Sequence, residues 1–114
     1  MVHAYERLFA LAGSLMIKEQ IKKSLKQSVS ALVAQGQLSE HALSLVEKES
    51  TARAKNPLFG DFAANVAMLI AREEKKPPLE VAQLIADELK NTANIFEKIE
   101  VAPPGFINLK LNEK

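Results

Sequence analysis

The stretch FEKIEVAPPGFINLKL, residues 96–111, decides the fold because its apolar side chains alternate with polar ones. A period of two residues is typical of a β-strand that buries one face. The interruption Pro103-Pro104-Gly105 has the composition of a turn. We therefore predict two antiparallel strands joined at this turn. The alternating apolar positions are Ile99, Val101, Ile107, Leu109 and Leu111.

A register for these strands follows from the requirement that apolar pairs share a face. Pairing Ala102 with Phe106 places Val101 opposite Ile107 and Ile99 opposite Leu109. The opposite face then carries polar residues and one aromatic ring. Its predicted cross-strand pairs are Ala102 with Phe106, Glu100 with Asn108, and Lys98 with Lys110.

Upstream of this segment, the apolar period changes to about 3.6 residues, which indicates amphipathic helices. One helix is predicted from Ile17 to Gln35, with Gly36 at its C-terminal end. Another is predicted from Leu79 to Lys90. Together with the strands, these helices predict an α+β fold, a two-layer sandwich with helices packed on one face of a small antiparallel sheet.

Between those two helices the pattern is less regular. Ser39 is predicted to cap a short helix, and the stretch Leu45–Ala54 permits a strand. Residues 56–60 have the composition of a turn. Asp61 is predicted as the N-cap of a helix over Phe62–Ala71, which its mostly apolar composition makes the central buried helix.

Length and composition exclude several classes of protein. The chain has 114 residues, 47% hydrophobic and 25% charged, which is typical of one soluble globular domain. It has no cysteine, so a disulfide scaffold and a thiol nucleophile are excluded. Its net charge is +1, so nucleic-acid binding would require a local patch. No segment has the length of a membrane span. Residues 1–15 are predicted to be a leader or a native extension that precedes a domain over 16–114.

The polar face of the predicted hairpin has the composition of an RNA-binding surface. The Phe106 ring can pack on an unstacked base, the Asn108 amide can bond a base edge, and Lys110 or Lys98 can contact phosphate. Lys98 opposite Lys110 is unfavourable, and a bound anion would relieve the repulsion. The alternative is that Phe106 folds over the turn or contacts another domain.

Two blocks of the sequence resemble one known family. GDFAANVAM, residues 60–68, is similar to the Gly-Asp-aromatic-Ala-x-Asn-x-Ala block of the N-terminal additional domain of arginyl-tRNA synthetase. VAPPGFINL, residues 101–109, is similar to that domain's second block. The order of the blocks and the helical segments between them agree as well, and the resemblance covers about residues 16–112.

The resemblance implies a two-layer α/β module that precedes a catalytic domain and contacts the D-loop of the arginine tRNA. Phe106 matches the position of an aromatic that packs on a nucleotide, and Asn108 matches an amide that hydrogen-bonds it. Pro103 departs from the asparagine of some eukaryotic members. Gly60, Asp61, Asn65 and Gly105 match motif positions for which we predict structural roles.

For the parent ligase, the resemblance implies ATP and Mg²⁺, a catalytic domain of the same synthetase as partner, and a cytoplasmic location. It implies neither DNA nor a membrane as a partner. This sequence has no His-x-Gly-His signature and no metal-ligand cluster, so we expect no catalytic residue, metal site or aminoacylation by this chain alone. Two alternatives remain: an interdomain or protein-interaction module without RNA contact, and an independent small enzyme, which lacks a nucleophile–base pair.

Overall fold

A computed structural model describes residues 2–49, 51–54, 60–92 and 94–112, with side chains from residue 17 onward. The described part contains four helices and four strands. The helices are α1 Val2–Ala34, α2 His41–Val46, α3 Val66–Glu74 and α4 Pro78–Thr92. The strands are β1 Thr51–Arg53, β2 Phe62–Ala64, β3 Phe96–Ala102 and β4 Phe106–Leu111.

The four strands form one antiparallel sheet in the order β1-β2-β4-β3. The predicted hairpin register is confirmed, since Ile99 lies opposite Leu109 and Val101 opposite Ile107. β4 is a central strand because β2 pairs with its other edge, with Ala64 opposite Ile107 and Phe62 opposite Leu109. The α+β sandwich predicted from the sequence is therefore confirmed, with a wider sheet than the hairpin alone.

The core lies between the sheet and the helices. α1 supplies Ile21, Leu25, Val29 and Leu32, and each is at most 2% exposed. α4 contacts α1, α3, β3 and β4 and buries Val81, Ile85 and Leu89 completely, as its predicted stripe indicates. The central helix is thus α4, and the prediction that the helix after Asp61 holds this place is wrong.

The segment after Asp61 differs from the prediction in a second way. Phe62–Ala64 is a strand, and the helix begins only at Val66, with Asn65 before it. Asp61 is therefore not an N-cap. Its backbone N–H donates to the Leu109 carbonyl at 2.8 Å, and its carboxylate Oδ2 accepts the Leu111 N–H at 2.9 Å. These bonds attach the entrance of β2 to β4.

The prediction for the C-terminal end of α1 is confirmed, and the prediction for the start of α2 is wrong. Gly36 has φ +76°, and the Gly36 and Gln37 amides donate to the carbonyls of Val33 and Leu32, which is the Schellman arrangement. Ser39, however, does not cap α2, because its hydroxyl and its backbone N–H both donate to the Glu74 carboxylate. Ser39 instead joins the loop before α2 to the end of α3.

Three further expectations concern element boundaries. α1 begins at Val2 rather than at Ile17, so residues 2–16 continue the same helix. A strand does form within the ambiguous stretch, over Thr51–Arg53, although Leu45 and Val46 belong to α2. The turn predicted over residues 56–60 lies outside the described residues except for Gly60.

Candidate functional site

The side of the sheet that faces away from the helices carries the candidate site. We call this side the outer face. Residues that pair directly across strands share a face, so the register defines its members. They are Ala52, Ala63, Lys98, Glu100, Ala102, Phe106, Asn108 and Lys110. The side chains predicted to share the polar face of the hairpin therefore do lie on one face.

Phe106 lies at the end of the outer face next to the 103–105 turn. It is 37% exposed, and Leu79 is the other exposed large hydrophobic side chain among the described residues. Its cross-strand neighbour is Ala102, and Ala63 of β2 pairs with Asn108, two residues along β4. The exposed part of the ring is available to a planar ligand.

Asn108 occupies the centre of the outer face and is nearly buried. Its row across the sheet is Ala52, Ala63, Asn108 and Glu100. Only 8% of Asn108 is exposed, because strands flank it on both sides and Phe106 and Lys110 are its outer-face neighbours along β4. Asn108 thus lies on the predicted face of the hairpin but is nearly buried.

The Asn108 carboxamide forms no hydrogen bond with another described residue. A ligand that supplied one donor and one acceptor here would offset the desolvation cost of the amide, about 1–3 kcal/mol for an unpaired group.

Lys98 and Lys110 lie directly opposite each other, as predicted, but each has an acidic partner. Lys98 Nζ lies 2.7 Å from Glu100 Oε1, and Lys110 Nζ lies 3.5 Å from Glu97 Oε2. The hydrogen bond from Lys98 to Glu100 raises the pKa of the Lys98 ammonium group above its ordinary value. The expectation that repulsion between the lysines calls for a bound anion is therefore wrong, because carboxylates already offset the two charges.

The role of Glu97 was not predicted from the sequence. Phe96 pairs with Leu111 and Lys98 pairs with Lys110, so Glu97 is an extra residue in β3, a β-bulge. The available signal was the spacing of Phe96 and Ile99, both of which pack against the core although they are three residues apart. A period of two cannot place both on one face without an irregularity.

Gly60 and Asp61 hold β4 from the side of β2. Gly60 has φ +111°, and a Cβ atom at this residue would lie 2.8 Å from the Leu109 carbonyl oxygen. Only glycine allows the backbone to approach β4 this closely. The predicted structural role of these two residues thus takes a specific form: they fix the strand segment that carries Asn108.

Gly105 and Asn65 also have structural positions. A Cβ atom on the buried Gly105 would lie 2.8 Å from Pro78 Cβ and 2.9 Å from Met68 Cγ, so the turn before Phe106 rests on α4 and α3. The Asn65 carbonyl accepts the Met68 and Leu69 amides in the first turn of α3. Gly105 therefore helps to seat the hairpin on the helical layer, and Asn65 begins α3.

The lysines of α1 belong to the helical layer and not to the outer face. Lys26 pairs with the Glu47 carboxylate at 3.0 Å, and Lys22 Nζ donates to the Glu47 carbonyl at 3.1 Å. The hydrogen bond and charge of Lys26 lower the pKa of Glu47 below its ordinary value. Lys18 and Lys23 form no ion pair with another described residue. The positive charge of these α1 lysines is thus partly neutralised.

The described part of the chain lacks two kinds of feature. No group of three or more histidine, cysteine, aspartate or glutamate side chains is arranged there to hold a metal ion. None of the helices in that part combines the length and hydropathy that crossing a bilayer requires.

Comparisons with known proteins point to one family. Residues 16–111 match the family model described as "Arginyl tRNA synthetase N terminal domain". The arginine–tRNA ligase of Symbiobacterium thermophilum is 42% identical over 97 residues, which is 85% of this chain and 17% of that protein. The ligase of Geotalea uraniireducens is 38% identical over 98 residues, 86% of this chain and 17% of the relative.

A solved structure gives the same result. The crystal structure of arginyl-tRNA synthetase from Plasmodium falciparum superimposes with a TM-score of 0.60 at 25% identity, covering 84% of this chain and 16% of that one. The chain therefore spans about one sixth of the length of the proteins that it matches.

Proposed function

Because this chain belongs to the arginyl-tRNA synthetase N-terminal domain family, we propose that it binds the D-loop at the elbow of the arginine tRNA through the outer face. In this role it positions the tRNA so that the acceptor end reaches a catalytic domain outside this chain. That domain would use ATP and Mg²⁺ to attach arginine, in the cytoplasm. No residue of the present chain takes part in the chemical step.

The observation that carries the proposal is the pairing of an exposed ring with an enclosed amide. Phe106 is 37% exposed, and Asn108, two residues along the same strand, has no hydrogen-bond partner among the described residues. Side chains two apart on a strand are separated by about 7 Å. This distance lets one splayed-out nucleotide place its base against the ring and direct a polar edge to the amide.

The lysines complete the electrostatic part of the proposal. Lys98 and Lys110 lie beyond Asn108 on the same face, where they would contact the phosphates that flank the bound nucleotide. The net charge of +1 provides little general attraction for RNA. Selective binding would therefore depend on the ring and the amide more than on the lysines.

A titration of the chain with arginine tRNA tests the proposal. Amide NMR signals of β4 should shift on addition of the tRNA. Replacing Phe106 with alanine should weaken binding by about 5- to 150-fold, because stacking of one base on an aromatic ring contributes about 1–3 kcal/mol. Phe106→Tyr keeps the ring and is the matched control, so it should bind nearly as well as the original chain.

The complete ligase provides the second measurement. There, Phe106→Ala should raise the KM for tRNA and leave the KM for arginine and ATP unchanged. If tRNA binding is unaffected while the ligase becomes less stable to heat, the outer face packs against another domain. That result would favour the interdomain or protein-interaction alternative and would remove RNA contact from the proposal.

A further inference from the structure

The two lysines of the outer face are already neutralised by carboxylates within the same hairpin. Lys98 pairs with Glu100 at 2.7 Å and Lys110 with Glu97 at 3.5 Å. All four side chains are about half exposed or more, between 48% and 63%. Such pairs exchange readily with other ions, because solvent screens them and their net contribution to stability is small.

The placement of Glu97 depends on the bulge in β3. In a regular strand, adjacent residues point to opposite faces, so Glu97 would face away from Lys98 and from its partner Lys110. The extra residue between the Phe96–Leu111 and Lys98–Lys110 pairs removes that constraint. Each lysine consequently has its own carboxylate, and neither is left as a free cation.

We propose that Glu97 and Glu100 compete with RNA phosphates for Lys110 and Lys98 and thereby make the outer face selective. A phosphate can bind either lysine only by displacing its carboxylate. An RNA that offers phosphates alone gains little binding free energy from this exchange. An RNA that also places a base on Phe106 and a polar edge on Asn108 gains enough binding free energy to displace the carboxylates. The inference rests on the proposed function and assigns a specificity role to two residues that lie beside the nucleotide contact.

Charge-neutral variants of the two glutamates test this role. Glu97→Gln and Glu100→Gln should each tighten binding of both arginine tRNA and a fully paired RNA duplex, which offers phosphates but no unstacked base, by about two- to five-fold at low salt. The gain should be relatively larger for the duplex, so the ratio of the two affinities should fall. Glu19→Gln, an exposed glutamate on α1, changes the net charge equally and is the matched control. It should alter neither affinity by more than a small factor.

Salt dependence and a double-mutant cycle separate competition from a general charge effect. Each freed lysine that binds a single-strand phosphate should steepen the slope of log K against log salt by about 0.7. The effect of Glu100→Gln should disappear in a Lys98→Gln background, because the carboxylate then has no lysine to occupy. A general charge effect would persist in that background.

Each outcome has a distinct meaning. If Phe106→Ala leaves tRNA binding unchanged, the proposed function fails and takes this inference with it. If Phe106→Ala weakens binding while Glu97→Gln and Glu100→Gln behave like Glu19→Gln, the competition is absent and only this inference is overturned. Persistence of the Glu100→Gln effect without Lys98 would also overturn it. Circular dichroism of each variant verifies that the fold is retained.

Discussion

Replacing Gly60 with alanine should destabilise the protein more than any other glycine-to-alanine change among those considered below. Its φ of +111° is strained for a residue with a side chain, which costs about 1–3 kcal/mol. In addition, the new Cβ would lie 2.8 Å from the Leu109 carbonyl oxygen and 3.1 Å from its carbon. Relieving that overlap requires a shift of central strand β4 and costs a further amount of about 1–3 kcal/mol.

The two contributions add to about 2–6 kcal/mol. A domain of this size is stable by about 5–15 kcal/mol in total, so the loss would be a large fraction. Because Leu109 is adjacent to Asn108, a shift of β4 would also move the carboxamide. We therefore expect Gly60→Ala to lower the affinity for tRNA even under conditions in which the protein remains folded.

Two other glycines supply controls that separate backbone strain from steric overlap. Gly36 has φ +76° but no heavy atom within 4 Å of an added Cβ, so Gly36→Ala should cost only the left-handed penalty of about 1–2 kcal/mol. At Gly105 the cost of alanine is mainly steric, because an added Cβ would lie 2.8 Å from Pro78 Cβ and 2.9 Å from Met68 Cγ. The flexible Met68 side chain can move, whereas the Pro78 ring cannot easily do so.

Urea unfolding followed by circular dichroism measures these differences. The midpoint should fall in the order original chain, Gly36→Ala, Gly60→Ala, while the slope m stays constant if the denatured state is unchanged. A free energy of unfolding for Gly60→Ala equal to or above that for Gly36→Ala would refute the close approach between residue 60 and the Leu109 carbonyl.

Two further predictions concern carboxylates. Asp61→Ala should lower the free energy of unfolding by about 0.5–1.5 kcal/mol and speed hydrogen exchange of the Leu111 amide, because it removes the 2.9 Å hydrogen bond from that amide. Asp61→Asn keeps an acceptor and is the control. An unchanged rate of exchange in Asp61→Ala would contradict this prediction. Burial raises the pKa of Glu49 despite its hydrogen bond from Thr51. Ionisation of this carboxyl group therefore opposes folding, and its contribution to the free energy of unfolding falls as pH rises through the raised pKa. Glu49→Gln should therefore be more stable than the original chain at pH 7, and the difference in urea midpoint should vanish in acid; a constant difference would show that ionisation is not the cause.

The elements that the sequence predicts well are those with a sustained period. The alternation of Ile107, Leu109 and Leu111 against Ile99 and Val101, together with the short turn between the strands, supports a register that keeps the apolar residues on one face, and the structure has it. The helix containing Val81, Ile85 and Leu89 is equally clear because its spacing matches the helical turn. In both cases the information is local.

The segment around β2 could not be predicted because its determinants are distant in sequence. Phe62 to Ala64 directly precedes an apolar helix, and three residues are too few to show a change of period. Asp61 has the composition of a helix cap, but its actual partner, Leu111, is 50 residues away. Tertiary pairing with β4 overrides the local helical signal here.

The burial of Asn108 could not be predicted because strand β2 was not predicted. Alternation along β4 correctly places this residue on the outer face, but it does not reveal how many strands flank it. In a two-stranded hairpin one side of Asn108 would be open, whereas in the observed sheet Ala63 of β2 lies beside it. Exposure is thus a property of the whole sheet, while orientation is a property of the strand.

The dependence of β4 on both neighbours limits how far this surface can be miniaturised. The side chains proposed to meet RNA are close together in the chain, which suggests a short peptide mimic or a loop transplanted into another scaffold. However, an isolated two-stranded hairpin is marginally stable in water. In the domain, residues 60–64 brace the strand along its other edge, and Pro78 and Met68 support its turn. A functional graft would therefore need to carry a third strand and a helical backing along with the hairpin.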